Sequence, residues 1–138
     1  MAFLDGALFG NGGHDVAFVR DGTWRYDLAS ERWSRLSTSG GTAAGAHWAY
    51  AVDPACGTLV LAGGDHADNY DTALTDELSL RGAARFSRFP TSSLPDANDH
   101  ASLVFDASRR NVILFGGTLG DGQSYLGGAW VHPVAPCP

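Results

Sequence analysis

The stretch His47-Trp48-Ala49-Tyr50-Ala51-Val52-Asp53 returns 53 residues later as His100-Ala101-Ser102-Leu103-Val104-Phe105-Asp106, with histidine first and aspartate last in both copies. Each copy runs through a short turn, Asp53-Pro54-Ala55-Cys56-Gly57 or Asp106-Ala107-Ser108-Arg109-Arg110, into an apolar run, Thr58-Leu59-Val60-Leu61-Ala62 or Asn111-Val112-Ile113-Leu114-Phe115. Each run ends on a glycine pair, Gly63-Gly64 or Gly116-Gly117. Four to five apolar residues bounded by turn residues predict a buried strand, and two such segments joined by a few polar residues predict a hairpin.

Working outward, Gly12-Gly13 closes a third apolar stretch, Ala7-Leu8-Phe9-Gly10-Asn11, so the glycine pairs are spaced by 51 and then 53 residues. A fixed period of this length is the signature of a repeat architecture. After each pair comes a polar loop of about 10 to 13 residues and then an alternating segment, Thr23-Trp24-Arg25-Tyr26-Asp27-Leu28, Glu77-Leu78-Ser79-Leu80 or Ala129-Trp130-Val131-His132. A further short segment follows in two copies, Arg32-Trp33-Ser34-Arg35-Leu36 and Arg85-Phe86-Ser87-Arg88-Phe89. A full unit therefore holds four strands, with Trp24, Tyr26 and Leu28 on one face and Trp33 beside them. The glycine pairs are expected at positive φ or against close-packed backbone.

Four antiparallel strands in about 50 residues, a Gly-Gly after the second and an aromatic in the fourth resemble the kelch repeat, whose units are the blades of a β-propeller. The resemblance covers nearly the whole chain and rests on His47, His100, Gly63, Gly64, Gly116, Gly117, Trp24, Tyr26 and Trp33. Phe86 stands where the family has Trp, and Leu78 and Leu80 where it has aromatics. Trp130 belongs to the last alternating segment. The competing β-sandwich reading needs the glycine pairs, histidines and aromatics to recur together by chance.

The expected fold is all-β, an incomplete kelch-type propeller. Counting back 51 residues from His47 places an opening strand before Met1, and counting forward 53 from Phe86 places an outer aromatic just past Pro138. Residues 1–36 then form a blade without its first strand, 47–89 a complete blade, and 100–138 a blade without its outer strand. Copies joined head to tail would give junctions of six strands, so further blades are expected in a longer parent chain.

Composition removes several function classes. Fifteen acidic against nine basic residues, all nine of them arginine, give a net charge of −6, which argues against nucleic acid. The absence of lysine removes Schiff-base chemistry and the phosphate-loop lysine. No apolar run approaches the roughly 20 residues of a membrane helix. Cys56 and Cys137, 81 positions apart, form no zinc or dithiol motif; separate buried thiols are expected, with a single disulfide left open. Scarce cysteine and no glycosylation sequon lean towards the cytoplasm.

The longer loops after the second and fourth strands project from one end. Candidate binding residues there are Asp65, His66, Asp68, Tyr70 and Asp71 in the most acidic stretch, with Tyr125 in the third unit. His14-Asp15 and Asp65-His66-Ala67-Asp68 both follow a glycine pair, so neighbouring units could bring them close together, which raises a metal site as one reading. The absence of histidine in the matching Thr118-Leu119-Gly120-Asp121 favours plain solvated loops, and the recurrence of His47 and His100 favours a packing or hydrogen-bonding role. Gly-x-Ser-x-Gly and His-Glu-x-x-His are both absent. No catalytic residue, cofactor or metal is assigned. The reading is a non-catalytic scaffold for a protein partner. Its alternatives are a part of a galactose-oxidase-like copper oxidase, which the family also contains, and a carbohydrate-binding propeller using Tyr70 and Tyr125.

Overall fold

A computed structural model describes residues 1–15, 19–40, 45–66, 75–88, 98–119, 123–134 and 136–137. These residues are all-β. The first unit holds β1 (Ala2–Leu4), β2 (Ala7–His14), β3 (Val19–Asp27) and β4 (Arg32–Leu36). The second holds β5 (Gly45–Ala46), β6 (Ala49–Asp53), β7 (Thr58–Ala62), β8 (Asp65–His66), β9 (Thr75–Ser79) and β10 (Arg85–Arg88). The third holds β11 (Asn98–Asp99), β12 (Ser102–Asp106), β13 (Asn111–Phe115), β14 (Thr118–Leu119) and β15 (Ala129–Pro133). Antiparallel pairing gives two four-stranded sheets, β1-β2-β3-β4 and β6-β7-β9-β10, and a three-stranded sheet, β12-β13-β15. The short pairs β5-β8 and β11-β14 brace the chain just ahead of β6 and β12.

The three sheets stack face to face with the second in the middle. One of its faces sets Leu59, Leu61, Leu78 and Phe86 against Ala2, Leu4, Ala7 and Phe9 of the first sheet. The other sets Ala49, Ala51, Val60 and Ala62 against Val112 and Leu114 of the third. Burial on both sides is why Thr58–Ala62 is buried at every position, as an unbroken apolar run requires. Asn111–Phe115 is just as apolar, yet its burial alternates and Phe115 is 62% exposed, because among the described residues no layer covers its far side. The first sheet has the same asymmetry: Tyr26 pairs with Trp33 with ring centroids 5.0 Å apart, and Trp24 and Trp33 lie on that outward face, 40% and 53% exposed. Trp24, Tyr26 and Trp33 thus share a face as the alternation predicts, whereas Leu28 falls in the turn beyond β3. Phe86 is buried on β10, and Trp130 packs half-buried against Ala49, Ala62 and Leu114.

Two expectations are corrected. A fixed period leaves the first unit without its opening strand, but β1 is that strand, pairing Ala2 with Phe9 and Leu4 with Ala7. The extrapolation fails because the turn into β2 is only Asp5-Gly6, with φ of 47° and 75°, the positive pair that a two-residue hairpin demands; the other units use four residues. The cysteines are not separate thiols. Cys56 in the β6–β7 turn and Cys137 beyond β15 form a disulfide with Cα atoms 5.1 Å apart, since both lie at the turn end of adjacent sheets. Sequence distance does not measure this proximity, and closing so long a loop stabilises by about 4 kcal/mol in the chain-entropy picture.

At that end the same hairpin turn occurs three times. Asp27, Asp53 and Asp106 each begin it, and Glu31, Gly57 and Arg110 end it with φ of 54°, 65° and 53°. Each aspartate accepts from the turn it starts: Asp27 from the Ser30 N–H, Asp53 from those of Ala55 and Cys56, Asp106 from those of Ser108 and Arg109. Short polar side chains that bond their own following backbone are what nucleate such turns.

At the opposite end, the glycine pairs fix how one unit meets the next. Gly63 (φ 67°) lies so close to the carbonyl of Asn98 that a Cβ would sit 2.4 Å from its oxygen. Gly64 (φ 80°) donates its N–H to that same carbonyl at 2.8 Å and packs its Cα side against Ala46 of its own unit. The first pair repeats the contact, Gly12 against Gly45.

Gly63→Ala should therefore destabilise by well over 2 kcal/mol, combining a backbone clash with left-handed strain, while Gly116→Ala, which has open space around it at φ 66°, should cost only about 1 kcal/mol. Urea denaturation of the two variants measures the difference. The turns also predict an acid response. Hydrogen bonds from Ser30 and the Arg25 guanidinium hold Asp27 down to about 2, and those from Ser108 and Arg109 hold Asp106 down to about 2. A folded value below the unfolded one means the turns contribute fully above pH 4 and lose that contribution as pH falls towards 2. Carboxyl NMR titration should give midpoints near 2, and Asp106→Asn should flatten the dependence of the melting temperature across that window.

Candidate functional site

The chain comes into β6 and β12 through His47 and His100, and both residues have φ of 54°. They are not strand residues, as the sequence suggests, but sit in the bend just ahead of each strand. Left-handed backbone is uncommon outside glycine, and histidine is among the residues that tolerate it. The bend turns both imidazoles towards one another across the joint between units. Their rings stack with centroids 4.2 Å apart and planes 25° apart, and the ring of His14, at the end of β2, lies 6.0 Å from His47. One histidine from each of three consecutive units thus forms a short ladder at the loop end.

Two carboxylates face this ladder. Asp65 on β8 reaches the Nδ1 of His47 at 3.2 Å, and Asp99 on β11 reaches the Nδ1 of His100 at 2.9 Å. The short pairs β5-β8 and β11-β14 place them there: Asp65 pairs with Ala46, beside His47, and Asp99 immediately precedes His100. Both carboxylates are largely shielded, while the imidazoles are 37% and 57% exposed. Beside His47 opens a cavity of about 500 Å³ lined by Trp24, Trp33, Trp48 and Tyr50. The Tyr50 hydroxyl donates to the Asn11 carbonyl at 2.9 Å and accepts from the Asn11 N–H at 3.1 Å, and burial pushes its phenol up.

Of the predicted binding residues, Asp65 stands in this site and His66 contributes its backbone to β8. Asp68, Tyr70 and Asp71 lie outside the described residues. Tyr125 is 77% exposed and bridges to Thr118, with no described contact to the ladder. His47 stands between the segments after the first two glycine pairs, with the ring of His14 at 6.0 Å on one side and Asp65 3.2 Å from its Nδ1 on the other. Asp99 escapes a reading of the sequence; its only signal is its place next to a repeated histidine.

The left-handed bend is testable by itself. His100→Gly should be more stable than His100→Ala by about 1 kcal/mol, because only glycine is free of the Cβ penalty at that φ, and chemical denaturation of both variants checks it. The chain matches no protein-family model, and no curated protein is significantly similar to it.

Proposed function

We propose that these sheets are blades of a kelch-type β-propeller that acts as a non-catalytic scaffold, presenting the segments at its histidine end to a protein partner. The observation that carries this reading is the asymmetry between the two ends. At one end the chain turns through the same four-residue Asp-initiated loop three times; at the other it leaves β7 and β10 into the long polar segments that precede β9 and β12. A rigid, repetitive base with variable segments on the far side is the usual layout of a binding scaffold.

The propeller part is supported by the stacking of successive sheets through glycine-to-carbonyl contacts. It is also supported by the apolar outer faces, Phe3, Trp24 and Trp33 on one side and Val104, Phe115 and Val131 on the other, all more than a third exposed. Faces of this kind are covered by neighbouring blades in such an array, and further blades of the parent chain would cover them here.

The copper-oxidase alternative is not favoured. Its chemistry needs a cysteine linked to a tyrosine, and here Cys56 and Cys137 are bonded to each other while Tyr50 is committed to Asn11. The carbohydrate alternative rests on Tyr125 alone among the described residues.

Substituting Asp68 and Asp71 together by Lys should weaken capture of the bound protein at least tenfold, with Ser108→Arg at the turn end leaving it unchanged. Capture sensitive only to the turn end would overturn the reading, and saturable oligosaccharide binding without a protein partner would replace it.

A further inference from the structure

From the ladder we infer a site for one divalent transition-metal ion of the zinc class, with His47, His100 and Asp99 as its ligands. Each of the three offers one ligand atom, and these atoms lie within 4.8 Å of one another. Tetrahedral coordination at about 2.0–2.1 Å requires ligand atoms closer than this, roughly 3.3 Å apart, so they must close by at most about 1.5 Å. Each ring belongs to a single bend, and a small rotation about its side-chain bonds supplies that movement.

The carboxylates give an independent reason. The Oδ2 of Asp99 is taken by His100, but its Oδ1 is buried without a hydrogen-bond partner among the described residues. The Oδ1 of Asp65 is likewise buried, and its approach to His47 falls short of hydrogen-bond geometry. A shielded anionic oxygen without a donor is costly in a folded protein, and a cation held by Asp99 and the two imidazoles removes that cost at Asp99.

The donor set selects the ion. Two imidazole nitrogens and one carboxylate suit zinc, nickel or copper(II), whereas calcium and magnesium require more oxygen ligands. Three protein ligands leave a fourth position for water or for a side chain of a bound partner. The site differs in kind from a copper-radical centre, since tyrosine and thiolate take no part and both histidines occupy one repeated backbone position. It concerns only the joint between the second and third units, so it stands or falls independently of the scaffold reading.

The test is calorimetric titration of zinc chloride into the tag-free, chelator-treated chain. One equivalent should bind saturably. His47→Gln, His100→Gln and Asp99→Asn should each weaken binding by tenfold or more, and His132→Gln on β15 should not. Far-UV circular dichroism shows whether each variant is folded. If a variant does not fold, zinc-induced shifts of the imidazole NMR signals in the unaltered chain decide the matter, with His47 and His100 expected to move and His132 to stay. No saturable binding, or one equivalent that survives the His47→Gln, His100→Gln double substitution, overturns the site.

Discussion

The contact on which the architecture depends is the approach of a glycine pair to the carbonyl two residues ahead of the next unit's histidine. Gly63 leaves no room between its Cα and the Asn98 carbonyl, and Gly64 caps that carbonyl with its N–H at 2.8 Å. A side chain at Gly63 would push the third unit away from the second, and one at Gly64 would strike the Ala46 carbonyl and Trp48 of its own unit. The separation of the sheets, the burial of Ala49, Ala62 and Leu114 between them, and the height at which His100 meets His47 all follow from this one close approach. Side-chain packing then fills a gap whose width the backbone has already set.

The other end is held by charge. Asp53, fully buried, pairs with Arg110 of the next unit at 2.6 Å while its second oxygen closes its own turn. The same guanidinium lies 3.3 Å from the sulfur of Cys56 and near Glu77, whose carboxyl is pushed up by burial and by the charge of Asp53, with Arg110 opposing both. A single arginine thus serves two acidic groups of the neighbouring sheet. A buried pair of this type adds less to stability than to fixing one arrangement over others, and here the arrangement is the register of the third sheet against the second.

What the sequence discloses is what local backbone geometry requires. The repeated histidine and the aspartate-led turns answer demands made within a few residues, and the paired glycines, though they meet a carbonyl of the next unit, each take a positive φ of their own, so all of them recur visibly at a constant spacing. Contacts made between sheets are not legible in this way. The partner of Asp53 is 57 residues distant and that of Cys56 is 81, and nothing near either residue marks its mate. Asp99 is hidden for a related reason, because its role depends on the bend of His100 and on the bracing pair that turns both groups inward. The strand at Ala2–Leu4 was obscured by turn length: two residues in place of four shift the frame by two and carry most of the strand past Met1. The apolar run Asn111–Phe115 identifies a strand, but which of its faces meets a neighbour depends on stacking that the segment itself does not encode.

The disulfide also determines how the molecule would bear load. It closes a covalent loop from the turn of the second unit to the segment after β15, so force applied to the chain ends passes through the sulfur bridge and bypasses the third sheet altogether. The 81 residues of separation correspond to about 280 Å of extended chain at roughly 3.4 Å per residue, a length withheld from extension while the bond is intact. Under tension the first sheet and then β6, with His47 just ahead of it, lie on the loaded segment and would peel away, while β7 to β15 stay within the closed loop. Reduction would release the hidden length and expose those strands to the same pull.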